Sequence, residues 1–171
     1  ADLISAGVND TTREIYLQGG TVQNLYGGSD SSGTVTVSNV YIESGNTTNV
    51  YGGNNQGGIT QTTNVTINGG IVQDVYGGGN QAVTNVTNVY IYGNVSKNVF
   101  GGGNQAGINT NTNVTLIGAT IGDNVYGGGN QGTVTQNTYV IVKDSILNNS
   151  LYAGGNGTSA VVYGNVNLTM H

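Results

Sequence analysis

The stretch Asn124-Val125-Tyr126-Gly127-Gly128-Gly129-Asn130-Gln131 decides the fold, because the chain contains it more than once. Asp74–Gln81 and Asn98–Gln105 repeat it almost letter for letter. With the aromatic residue before each small-residue pair as marker, the repeat extends to Tyr26, Tyr51, Tyr76, Phe100, Tyr126 and Tyr152. The intervals are 25, 25, 24, 26 and 26 residues. Self-similarity at such a period marks a solenoid, in which each repeat is one coil that cannot bury its own apolar face.

Working outward from the markers, apolar residues fall into columns. Directly before them stand Leu25, Val50, Val75, Val99, Val125 and Leu151. Farther on come Val40, Val65, Val89, Val114, Val140 and Val166, then Ile42, Ile67, Ile91, Leu116, Val142 and Leu168 two positions later. Tyr41, Thr66, Tyr90, Thr115, Ile141 and Asn167 separate the two columns. This in–out–in alternation is the period of a strand with one buried face. A third inward column is expected at Ile59, Val83, Ile108, Val134 and Ala160, with Val35 one place off register. A fourth is expected at Ile71, Val95, Ile121 and Leu147. Stacking such coils every ~4.8 Å buries the columns, and six coils make a rod roughly 30 Å long.

Polar columns follow the same register. Asp30, Asn55, Asn80, Asn104, Asn130 and Asn156 form one; Asn24, Asn49, Asp74, Asn98, Asn124 and Ser150 form another; Asn39, Asn64, Asn88, Asn113 and Asn165 form a third. Stacked amides can bond up a rod as ladders. The paired glycines after each marker serve positive φ or close approach of neighbouring coils.

The expected architecture is therefore an all-β, single-stranded parallel β-solenoid of about six coils of ~25 residues. Residues 1–171 read as one domain, with 1–20 a partial N-terminal coil or cap and 21–171 the six coils. Ile15 and Leu17 place the partial coil in register, and Arg13 and Glu14 put charge at that end, which discourages edge pairing. At the other end Val166, Leu168 and Met170 run to His171 without a polar cap, so the repeat continues into a longer protein or stacks end to end on another molecule.

Composition narrows the function classes. Among 171 residues there are 31 Gly, no Pro, no Cys and no Trp, and 6% of residues are charged. Arg13, Lys97 and Lys143 are the only basic residues apart from His171, and the formal net charge is −5. Nucleic-acid binding needs a basic stripe, which is absent. No apolar run approaches the ~18 residues of a membrane helix. No disulfide or thiolate site can form.

The Asn-Val-Tyr-Gly-Gly-Gly-Asn-Gln phrase at Asn124–Gln131, with its near copies, resembles the repeats of parallel β-helix regions in bacterial cell-surface adhesins and of phage tail-fibre shafts. The resemblance implies a right-handed β-helix and an extracellular, secreted or cell-surface rod. It speaks to architecture far more than to function, because such repeats occur in stalks, adhesins and lyases.

Candidate sites are few. His171 is terminal and alone, so no Ser–His–Asp or Cys–His arrangement has a usable base. No catalytic residue, metal site or cofactor is expected. The Gly-Gly-Gly-Asn-Gln turn carries amides where a calcium solenoid carries carboxylates. Asp74 and Asp123 fall in nearly one column with Lys97 between them, which reads as cross-strand charge pairing before it reads as a glycosidase pair. The marker aromatics Tyr26, Tyr51, Tyr76, Phe100, Tyr126 and Tyr152 are the candidate ligand-binding residues. Their inward neighbours predict rings tilted outward, as a platform for sugars, unless the ladder serves only the solenoid. Tyr41, Tyr90 and Tyr92 place further exposed aromatics on another face.

The leading expectation is an extracellular structural or adhesive segment, without catalysis, whose partner is a host or cell-surface glycan or protein. The alternative is a carbohydrate-binding module that uses the aromatic column. A glycan-active enzyme and an ice-binding solenoid are weaker, the last because the outward positions lack an unbroken Thr-x-Thr rank.

Overall fold

The structure is a computed structural model that describes the backbone of residues 2–5 and 10–171 and side chains from residue 11 onward. Among the described residues fifteen strands, all paired in parallel, form one sheet wound into about six turns at the ~25-residue spacing. Among the described residues there is no helix. Val, Ile and Thr dominate the strands, and such residues pack well on a pleated, half-buried surface.

Registers run from coil to coil. Val40 pairs with Val65, Val65 with Val89, Val89 with Val114 and Val114 with Val140. Leu25, Val50, Val75, Val99 and Val125 stack likewise and are fully buried. With Ile42, Ile67, Ile91, Leu116 and Ile121 they form one aliphatic core through the rod. At the N-terminal side Leu3 pairs with Leu25, and Ile15 and Leu17 pair with Val40 and Ile42. The first segment therefore follows the same register as the coils after it.

Two expected columns are shifted. Ile71 is 64% exposed, and Val72 is the buried member, paired with Val95. Val72 and Val75 are both buried although three positions apart. The strand therefore bends at Gln73–Asp74, and strict two-residue parity fails there. In the third column the inward line is Val35, Thr60, Thr84, Ile108 and Val134, while Val83 is exposed and Ile59 half-buried. Val35 is in register after all, and the next two coils bury Thr60 and Thr84 where the sequence offers the adjacent aliphatics Ile59 and Val83.

The final coil is also longer than its sequence alignment suggests. Thr138 pairs with Val166, Val140 with Leu168 and Val142 with Met170. Asn165 donates its backbone N–H to Asn137 Oδ1, 28 residues earlier. Asn165 thus stands outside the Asn39–Asn113 column. Val134 bridges to Val162, so Ala160 is buried without belonging to that column.

The glycines after the markers serve close approach. A Cβ on Gly77 would lie 2.3 Å from Gly101 O, and one on Gly101 would lie 2.2 Å from Gly127 O. Positive φ is used elsewhere, at Gly20, Gly45 and Gly70 (+76°, +92°, +80°), which turn three successive coils at one corner.

Candidate functional site

The marker aromatics meet face to face. Successive ring centroids from Tyr26 to Tyr152 lie 4.8, 4.8, 4.9, 4.9 and 5.0 Å apart, with interplanar angles of 4–10°. Parallel pairing of each marker with the next sets this spacing. The five rings from Tyr26 to Tyr126 are 3–8% exposed and form a second apolar cluster beside the aliphatic core.

The expected outward tilt is therefore wrong. The strands carrying Val99–Phe100 and Val125–Tyr126 are two residues long and run straight into the glycine turn. Tyr26, Tyr51 and Tyr76 stand at or near the ends of longer strands and are buried all the same, so the bend into the glycine turn, and not strand length, turns both residues of each pair inward. Each ring between Tyr51 and Tyr126 also has both faces covered by its neighbours. A sugar cannot stack on a face that another ring occupies. Tyr152, with a neighbour on one side, is 48% exposed. Burial pushes the Tyr76 phenol up to about 12, with the Asp74 carboxylate adding to it. The Tyr126 phenol is raised by burial and then by Tyr152.

Asp74 and Asp123 are not brought together as a pair. Asp74 Oδ1 accepts Asn98 N and Asn98 Nδ2 at 3.0 and 3.1 Å, as a member of an amide ladder. Lys97 lies one position off that ladder, where its carbonyl accepts Asp123 N at 3.0 Å. No ion pair joins Lys97 to either carboxylate among the described residues. The expected charge pairing gives way to amide bonding, because Asp74 aligns with asparagines on both sides.

The amide columns form ladders. Asn55, Asn80, Asn104, Asn130 and Asn156 each donate Nδ2 to the oxygen one coil earlier, at 2.8–3.0 Å, ending on Asp30. Asn64, Asn88 and Asn113 do the same, ending on Asn39. An inward Ser/Thr column, which the sequence reading passed over, ties strands to glycine turns. Thr63, Thr87, Thr112 and Thr138 donate Oγ1 to the carbonyls of Gly77, Gly101, Gly127 and Ala153. The signal for it was parity, since each lies two positions before the buried Val column.

Tyr16, Tyr41 and Tyr139 lie on the outer face of the long strands, and Tyr92 stands just past the end of one. Tyr16 and Tyr41 stack on that face at 4.7 Å. Farther along the rod Tyr92, Ile117, Tyr139 and Ile141 are 38–45% exposed. A shallow groove of about 300 Å³ opens elsewhere, at Thr21, Asn46, Thr47, Ile71 and Gln73, and no titratable side chain lines it. Among the described residues no three His, Cys, Asp or Glu side chains come together as a metal site.

No protein-family model matches the chain, and no curated protein or solved structure does either.

Proposed function

We propose that this chain is a non-catalytic structural rod, a stiff stalk or adhesive segment of a protein that works outside the cell. One observation carries the reading: aliphatic, aromatic, amide and hydroxyl columns all repeat coil after coil in a single register. Regularity of this kind maintains a shape. A catalytic site needs instead a few titratable groups whose surroundings differ from those of their neighbours. Here the carboxylate in the best-ordered surroundings, Asp74, is bonded as though it were another asparagine. The resemblance of the repeat phrase to surface-adhesin and fibre-shaft repeats supports the extracellular setting.

The test is a length and a blank. Small-angle scattering should return a rigid rod roughly 30 Å long, six coils at ~4.8 Å each. Incubation with a panel of polysaccharides should release no reducing ends. Turnover of any of them by the purified chain, abolished in Asp74→Asn, sinks the reading.

A further inference from the structure

The outer face of the long strands changes character toward its C-terminal coils. The Asn39–Asn64–Asn88–Asn113 ladder stops where Tyr139 pairs with Asn113. In the next outward column Tyr90 is followed by Thr115 and then Ile141. At the far side of the face stand Tyr92, Ile117 and Lys143. Over these three coils an amide-rich surface becomes a flat patch of tyrosine and isoleucine. Asn113 Oδ1 has no amide of the next coil to receive, and the Thr115 hydroxyl lies between Tyr90 and Ile141. Departure from an otherwise strict repeat is where function is expected, since the scaffold itself does not require it.

We infer that this patch binds a neutral polysaccharide. A pyranose presents an apolar C–H face and a rim of hydroxyls. Tyr92 and Tyr139 offer ring surface for the first, and Asn113 Oδ1 and the Thr115 hydroxyl offer partners for the second. The patch carries no net charge of either sign, since Lys143 at its edge is followed directly by Asp144, so nothing there favours an acidic polymer or a charged peptide over a neutral chain. Size selects against a second protein. Five residues of strand by three coils span roughly 13 Å by 10 Å, on the order of 200 Å² with side-chain widths. A stable protein interface buries about 800 Å² on each partner. A narrow, repetitive chain can engage so small a patch and gain by repetition. A spacer needs no ligand, so the rod reading stands or falls independently of this one.

Affinity electrophoresis tests it, with the chain run through gels containing galactomannan, a neutral β-glucan or, for contrast, polygalacturonate. At least one neutral polymer should retard the chain. Tyr92→Ala together with Tyr139→Ala should weaken that retardation about tenfold or more, the effect of truncating aromatic anchors. Tyr163→Ala, at an exposed tyrosine off the patch, should leave it intact. Because all the substituted side chains are exposed, melting should not change, and Ile141→Lys serves as a second variant should the double one melt lower. The inference is overturned if no neutral polymer retards the chain, or if both patch variants bind as the parent does. It is overturned equally if retardation occurs only with polygalacturonate, or if the patch variants abolish a concentration-dependent dimer instead.

Discussion

Thr84 is fully buried, and its hydroxyl has no hydrogen-bond partner. One coil earlier, Thr60 escapes this because Asn54 Oδ1 accepts its proton at 3.0 Å, and Asn54 is itself buried. Gly79 stands where Asn54 would be in the coil of Thr84, so the acceptor is missing. Thr84→Val keeps the shape and removes the orphan, and the same column already holds Val35, Ile108 and Val134. Chemical denaturation should show a gain of about 1 kcal/mol; a loss would mean the hydroxyl is satisfied. The pH dependence can be read at Tyr76 in the same manner. Its phenol is raised from 10.0 to about 12, chiefly by burial. A group whose folded pKa is raised contributes stability in full below its unfolded pKa. It loses that contribution as pH climbs through the folded value. Stability should be flat to about pH 9 and fall between roughly 10 and 12. Tyr76→Phe, which copies Phe100, should flatten part of that decline in alkaline melts. The sequence made the column of rings legible from spacing alone, but not their burial. Burial depends on each ring being covered by the next, a contact between residues some 25 positions apart.

At the scale of the coil, glycine decides how closely neighbours approach. Each first glycine of a pair lies under the carbonyl of the next coil, so Gly101→Ala would force its Cβ to 2.2 Å from Gly127 O. The Gly127 backbone and the buried Val114 Cγ2, 2.8 Å away, leave little that can yield. Loss of about 2 kcal/mol or more is expected, in the range of overpacked cores. Gly154→Ala meets nothing within 4 Å and should melt within a degree or two of the parent, or about 0.5 kcal/mol. Equal melting of the two variants would mean the coils are farther apart than the structure places them. The inward columns were legible wherever a strand is straight, as from Val40 to Ile42 and in each copy. They were misplaced at Ile71 and Val83, where a strand bends or has just begun, and at Val166, where the coil gains residues. At Ile71 and Val83 an aliphatic residue stands next to the position that turns inward, so letters alone offered two registers and backbone pairing chose between them; at Val166 two extra residues slide the strand so that Leu168, not Val166, pairs with Val140.

Along the whole rod the amide ladders point one way. From Asn49 to Asn156, the side-chain amides that donate Nδ2 to a side chain of another coil donate it toward the N-terminal side. Carboxylates fix this direction at the base. Asp30 can only accept, so Asn55 must turn its Nδ2 toward it, which leaves Asn55 Oδ1 facing Asn80, and the choice repeats up the column. Glu43 sets Asn68 in the same sense, and Asp74 sets Asn98. An acidic residue is therefore suited to the first rung, whereas at a later one, as at Asp74 between Asn49 and Asn98, it breaks the side-chain donation and starts the column afresh. Asp30→Asn should change stability by less than about 0.5 kcal/mol, because an amide oxygen also accepts. In Asn104→Asp the introduced carboxylate still accepts from Asn130. It faces Asn80 Oδ1 with no proton to give. That ionised rung should cost about 1–3 kcal/mol at neutral pH. The deficit should shrink as pH falls from about 6 toward about 4, because the penalty raises the folded carboxyl's pKa and the protonated group can donate again. Urea titrations of the two variants at neutral and acid pH measure both terms. Equal penalties at the two positions, or a deficit at position 104 that ignores pH, would show that the ladder has no fixed direction.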